Sequence, residues 1–95
     1  MTIEQQTCRA TVTLTNRSGL HARPAYLLVQ TANAFAANLK VGRDGTVADG
    51  KSIMSIMMLA AEAGTTLELT AEGPDCAELI RAVSALVEAK FGEDA

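Results

Sequence analysis

Two stretches of this chain alternate apolar and polar side chains with period two, and they constrain its fold more than any other feature. From Thr7 to Leu14, Ala10, Val12 and Leu14 point one way and Arg9, Thr11 and Thr13 the other. From Thr66 to Glu72, Leu67, Leu69 and Ala71 point inward, with threonine and glutamate between them. Such alternation marks half-buried strands whose second face meets water. A sheet wet on one face is antiparallel, with its helices gathered on the other face.

The segments between supply those helices. A helix is expected from about Ala22 to Ala36, where Ala25, Leu28, Ala32 and Phe35 recur at helical spacing. Pro24 near its start is tolerated, because first-turn N–H groups have no helical partner. Leu39–Arg43 and Thr46–Ala48 read as two short strands around the hairpin signal Asp44-Gly45. Ser52 to about Ala61 reads as a short helix closed by Gly64. Asp75 to Lys90 is the clearest helix, with Asp75 and Glu78 at capping-box spacing and Leu79, Val83 and Leu86 as its stripe. The order is β-α-β-β-α-β-α, and the expectation is a two-layer α+β sandwich.

Ninety-five residues form one domain spanning 1–95, with 48% hydrophobic residues and only three aromatics, so the core must be aliphatic. A net charge of −3 argues against a nucleic-acid partner, which needs a basic face. No apolar run reaches the roughly 18 residues of a membrane span, and Met1 to Gln6 lacks the basic-then-apolar pattern of a signal peptide. Cys8 and Cys76 are isolated from each other in sequence. A disulfide between them is formally open, but the simplest expectation is a cytoplasmic protein with two free structural thiols. A metal site at Cys8, His21 and Cys76 would lack ligand spacing, so no metal and no cofactor are expected.

The only histidine, His21, lies in Gly19-Leu20-His21-Ala22-Arg23-Pro24-Ala25, where a glycine-containing loop meets a helix. A helix start presents unpaired N–H groups and partial positive charge, which suit a phosphate. Arg23 in the first turn is misplaced for the helix dipole but well placed for phosphoryl oxygens. Pro24 stiffens the turn and removes one donor. Together they outline a site for a phosphorylated imidazole. Set against this is the ordinary role of helix cap for His21, with Arg23 merely solvated.

The motif at 19–25 resembles, at every position, the active-site signature of the HPr family, the histidine phosphocarriers of the bacterial phosphoenolpyruvate-dependent phosphotransferase system. A second block, Lys51-Ser52-Ile53-Met54-Ser55-Ile56-Met57-Met58-Leu59, resembles the family's regulatory-serine motif at the right distance from His21. The resemblance implies an open-faced β-sandwich with sheet order 1-4-2-3 and three helices on one face. It implies that Nδ1 of His21 accepts a phosphoryl group from enzyme I and passes it to an enzyme II A-type protein, with Arg23 as the phosphate partner. It also implies a carrier rather than an enzyme with its own turnover, working as a monomer.

Ser52 is then a candidate for an HPr kinase/phosphorylase, although a serine at a helix start is often only a cap. An alternative is a regulatory binding module of the same fold, controlled through Ser52. The second helix has almost no polar face, so part of it should be exposed as a docking surface. The expected contact residues are Leu20, Lys51, Ile53, Met54 and Met57, with Met54 outward and Ile56 inward. Departures from the pattern at Tyr26, Ser55 and Asp49-Gly50 leave the branch open between sugar uptake and the nitrogen-type system.

Overall fold

A computed structural model describes residues 6–94. The chain start read above as lacking a signal peptide falls largely in residues 1–5, outside the described residues. Four strands, β1 (Thr7–Thr13), β2 (Asn38–Arg43), β3 (Thr46–Asp49) and β4 (Thr66–Glu72), form one antiparallel sheet in the order β1-β4-β2-β3. Three helices, α1 (Ala22–Asn33), α2 (Ile53–Met58) and α3 (Cys76–Glu88), complete the two-layer α+β sandwich. The topology is the one implied by the family resemblance.

Strand register explains the alternation. In β4, Leu67, Leu69 and Ala71 are fully buried while Thr66 and Glu68 face water. They pack with Leu39 and Val41 of β2, and the helices add Ala25, Leu28, Ala32, Ile56, Leu79, Val83 and Val87 to one continuous core. Phe91, just past α3, plugs the end of that core and is 3% exposed.

Four expectations need correction. First, α2 stops at Met58 rather than near Ala61. Ala60 takes a left-handed φ of 50°, and the guanidinium of Arg43 donates to the carbonyls of Leu59 and Ala60 (2.7 and 3.2 Å), which serve as a helix end. Leu59 and Ala61 are apolar because they are buried, not because they are helical. Second, α1 ends at Asn33, so Phe35 packs half-buried from the following turn.

Third, Asp75 stands at the N-cap position of α3 but makes no side-chain capping bond. Its carboxylate instead accepts from the N–H groups of Ala36 and Ala37 (2.9 and 2.7 Å), clipping the exit of α1 to the start of α3. The Ala36 N–H, more than any other group, holds this carboxyl below the usual carboxylate range. The clip therefore stabilises the fold at neutral pH and is lost as acid protonates the carboxylate.

Fourth, the cysteines are not free: Cys8 on β1 and Cys76 at the start of α3 form a disulfide. Cys8 lies on the inward face of its strand, directly under α3, with a Cα–Cα separation of 5.7 Å, inside the range a disulfide spans. Sixty-eight positions separate them in sequence, and only the β1–α3 packing brings them together. Two of the three residues considered as metal ligands are thus bonded to each other.

Candidate functional site

The loop between β1 and α1 is pinned before it reaches the histidine. Asn16 is fully buried, and its side-chain amide donates to the carbonyl of Gly19 at 2.9 Å. Gly19 adopts φ +64°, and its backbone presses against residues 61 and 62 after α2. The Leu20 N–H then donates to the Ala61 carbonyl at 2.9 Å. Leu20 itself is 4% exposed, so it forms the floor of the site and does not extend an exposed patch as expected. Its apolar side chain is drawn into the core and leaves the next residue at the surface.

That next residue, His21, is the N-cap of α1, in extended conformation, and its side chain makes no capping bond. Its carbonyl accepts the first helical hydrogen bond, from the Ala25 N–H at 2.9 Å. With Pro24 lacking an N–H, the first turn offers the amides of Ala22 and Arg23. No acidic side chain lies in that turn. Arg23 is exposed and, among the described residues, makes no ion pair, so its guanidinium is available to an anion. Pro24 is buried and anchors the turn to the core. The imidazole is 44% exposed, open enough for another protein's group to reach it.

One group was invisible to the sequence argument. The Glu93 carboxylate stands 3.2 Å from Nε2 of His21 and also accepts from the Asn16 side-chain amide at 3.0 Å. It lies 72 positions from the histidine, so no local spacing could reveal it.

A shallow hollow beside the ring is bounded by Ser18, Leu20, Met57 and residues 60–62. Larger hollows lie on the open face of the sheet, between Arg9, Thr11, Glu68 and Thr70, away from His21. A shallow, open setting fits docking by a protein better than capture of a small molecule. Around it α2 exposes Ile53 (40%), Met54 (71%), Met57 (42%) and Met58 (76%), while Ile56 is fully buried. Met54 faces outward and Ile56 inward, as read from the sequence. Lys51 is half-buried, and its ammonium donates to the Phe35 carbonyl at 2.8 Å beyond the end of α1. That bond turns its charge toward the fold rather than toward solvent.

Ser52 is the N-cap of α2, its hydroxyl accepting from the Ser55 N–H at 3.3 Å. The bond is long, so Ser52→Ala is expected to cost about 0.5–1 kcal/mol. Thermal unfolding should shift down by roughly 2–6 °C; an unchanged melting temperature would show that the cap contributes nothing.

Comparison with known proteins points in one direction. Residues 8–89 match the family model described as "PTS HPr component phosphorylation site". The chain is similar to the phosphocarrier protein HPr of Cupriavidus necator, 46% identical over 81 residues that cover 85% of this chain and 91% of that protein. It is also similar to the phosphocarrier protein NPr of Klebsiella oxytoca, 38% identical with 93% and 99% covered. Among solved structures, HPr from Thermoanaerobacter tengcongensis superposes with a TM-score of 0.90 at 44% identity, covering 93% of this chain and 99% of that one.

Proposed function

Because the chain belongs to the HPr family, we propose that His21 accepts a phosphoryl group from phosphorylated enzyme I and hands it to an enzyme II A-type protein. The chain is a phosphocarrier of the phosphotransferase system, not an enzyme. The observation that supports His21 as the acceptor is its position: the sole histidine stands at the N-terminus of α1, exposed, with no acid in the first turn. A neutral imidazole is a competent nucleophile near neutral pH. The amides of Ala22 and Arg23 and the Arg23 guanidinium stabilise the transferred group, while Pro24 fixes their direction. None of these groups encloses the phosphoryl, so it stays available to the next acceptor.

Donor and acceptor dock in turn on one surface, Ile53, Met54 and Met57 of α2, whose flexible methionines adapt to different partners. Leu20 supports this surface from beneath, and Lys51 shapes its edge through the bond to Phe35. Phosphorylation of Ser52 by an HPr kinase/phosphorylase would place about −1.5 to −2 charges beside the docking helix and weaken binding of acidic partners. The carrier works as a monomer and as one domain over residues 1–95, since a single chain holds every group the transfer needs. It works in the cytoplasm, where phosphoenolpyruvate is made; among the described residues no helix is long and apolar enough to cross a membrane. The Cys8–Cys76 disulfide would there meet a reducing thiol pool.

The test is direct. Incubation with phosphoenolpyruvate, Mg²⁺ and a bacterial enzyme I should add one phosphoryl group, seen by intact mass and lost in acid. A wild-type chain left unlabelled by enzyme I from several bacteria would refute the proposal.

A further inference from the structure

Glu93 is held in place by a built turn. Lys90, Phe91 and Gly92 follow one another at left-handed φ values of 55°, 54° and 78°, and two of the three are not glycine. Such conformations persist only where the surroundings dictate them. The buried Phe91 ring supplies the anchor, and N–H bonds from Gly92 to Ala89 and from Glu93 to Lys90, both 2.9 Å, close the turn. At its exit one oxygen of the Glu93 carboxylate accepts from buried Asn16 and the other faces Nε2 of His21. Asn16 in turn bonds to Gly19 in the histidine's own loop. The tail and the active loop are therefore one hydrogen-bonded unit.

We infer that Glu93 is a positioning residue that decides which ring nitrogen of His21 takes the phosphoryl group. The inference rests on His21 being the acceptor. An ionised carboxylate only accepts hydrogen bonds, so Nε2 beside it must carry the ring proton. In a neutral imidazole the lone pair is then on Nδ1. On transfer, that lone pair forms the new N–P bond while the bond from phosphorus to the donor's imidazole nitrogen breaks, its electron pair leaving with the donor. The His21 ring becomes cationic with its proton still on Nε2, and the Glu93 carboxylate balances the charge. Donation reverses these changes. No proton has to leave the ring in either direction.

The experiment uses the full chain carrying ¹⁵N-histidine. Ring-nitrogen resonances are recorded at alkaline pH, and transfer from phosphorylated enzyme I is timed at low and high salt, for wild type, Glu93→Gln and Glu93→Asp. In wild type the proton should reside on Nε2. In Glu93→Gln, whose carboxamide can donate to Nε2, the Nδ1–H form should grow. Transfer should slow by about three- to fivefold, the scale of a partly exposed charge pair, and the gap should narrow as salt screens it. Glu93→Asp, which keeps the charge on a shorter arm, should recover part of the rate. A ring-nitrogen pattern and rate in Glu93→Gln equal to wild type would overturn the inference. So would a rate loss indifferent to salt with no change in the tautomer, which would mark Glu93 as merely structural. A wild-type chain that takes no label refutes the carrier function itself, and this inference with it. A wild type that labels normally confines any failure to Glu93.

Discussion

His21→Ala is expected to abolish phosphoryl acceptance while leaving the fold intact. The chain has no second histidine to substitute. The hydroxyls nearby are weak nucleophiles at neutral pH without an adjacent base. The ring is 44% exposed, and its recorded polar contact is the one to Glu93, so its removal opens no cavity in the core. Its backbone carbonyl still accepts from the Ala25 N–H and still starts α1. Intact mass after incubation with phosphoenolpyruvate and enzyme I should therefore show no added phosphoryl group, with a melting temperature within a few degrees of wild type. Acid-labile phosphate on the variant would place the acceptor elsewhere.

Gly19→Ala is expected to be the most damaging small change in the loop. Its φ of +64° already disfavours an alanine. A Cβ at this position would also overlap the Ala61 carbonyl oxygen and lie 2.7 Å from Cα of Glu62. Both are backbone atoms, so no rotamer change relieves the overlap. The loop must move off residues 61–62, and the Leu20–Ala61 hydrogen bond goes with it. The left-handed conformation costs about 1–2 kcal/mol, and a buried unmet polar pair about 1–3 kcal/mol. Together they lower the melting temperature by roughly 10–20 °C. Because Leu20 carries His21, the same displacement should slow phosphorylation. Gly45→Ala is the control: its φ is also positive, at +84°, but no atom lies within 4 Å of the added carbon. A Gly19→Ala melt no lower than that of Gly45→Ala would show that the close approach does not hold the loop.

The sequence was most informative where periodicity and burial coincide. β1, β4 and α3 alternate or recur cleanly because one face of each is covered by the core, and their bounds are found within a residue or two. The end of α2 was hidden because Leu59 and Ala61 are buried in an irregular turn, and an apolar run does not report whether it is helical. Asp75 looked like a cap because its spacing to Glu78 is local, whereas its partners, Ala36 and Ala37, lie on the far side of β2, β3, α2 and β4 in the chain. His21, Arg23 and Pro24 were legible because the helix start that serves them is a local structure. Glu93 and the Cys8–Cys76 pair were not, since each depends on where the last helix lands against the start of the chain.

The strand order carries a consequence for biosynthesis. Among the described elements β1 is synthesised first, yet the strand it pairs with is β4, synthesised more than fifty residues later. Until β4 emerges, β1 lacks the strand it pairs with, and the β2 edge of the β2–β3 hairpin stays uncovered. α3, which closes the core over β1, comes later still. Such distant pairings make folding slow to start. A nascent chain therefore cannot pair β1 until β4 has been made, nor cover it with α3 until later still.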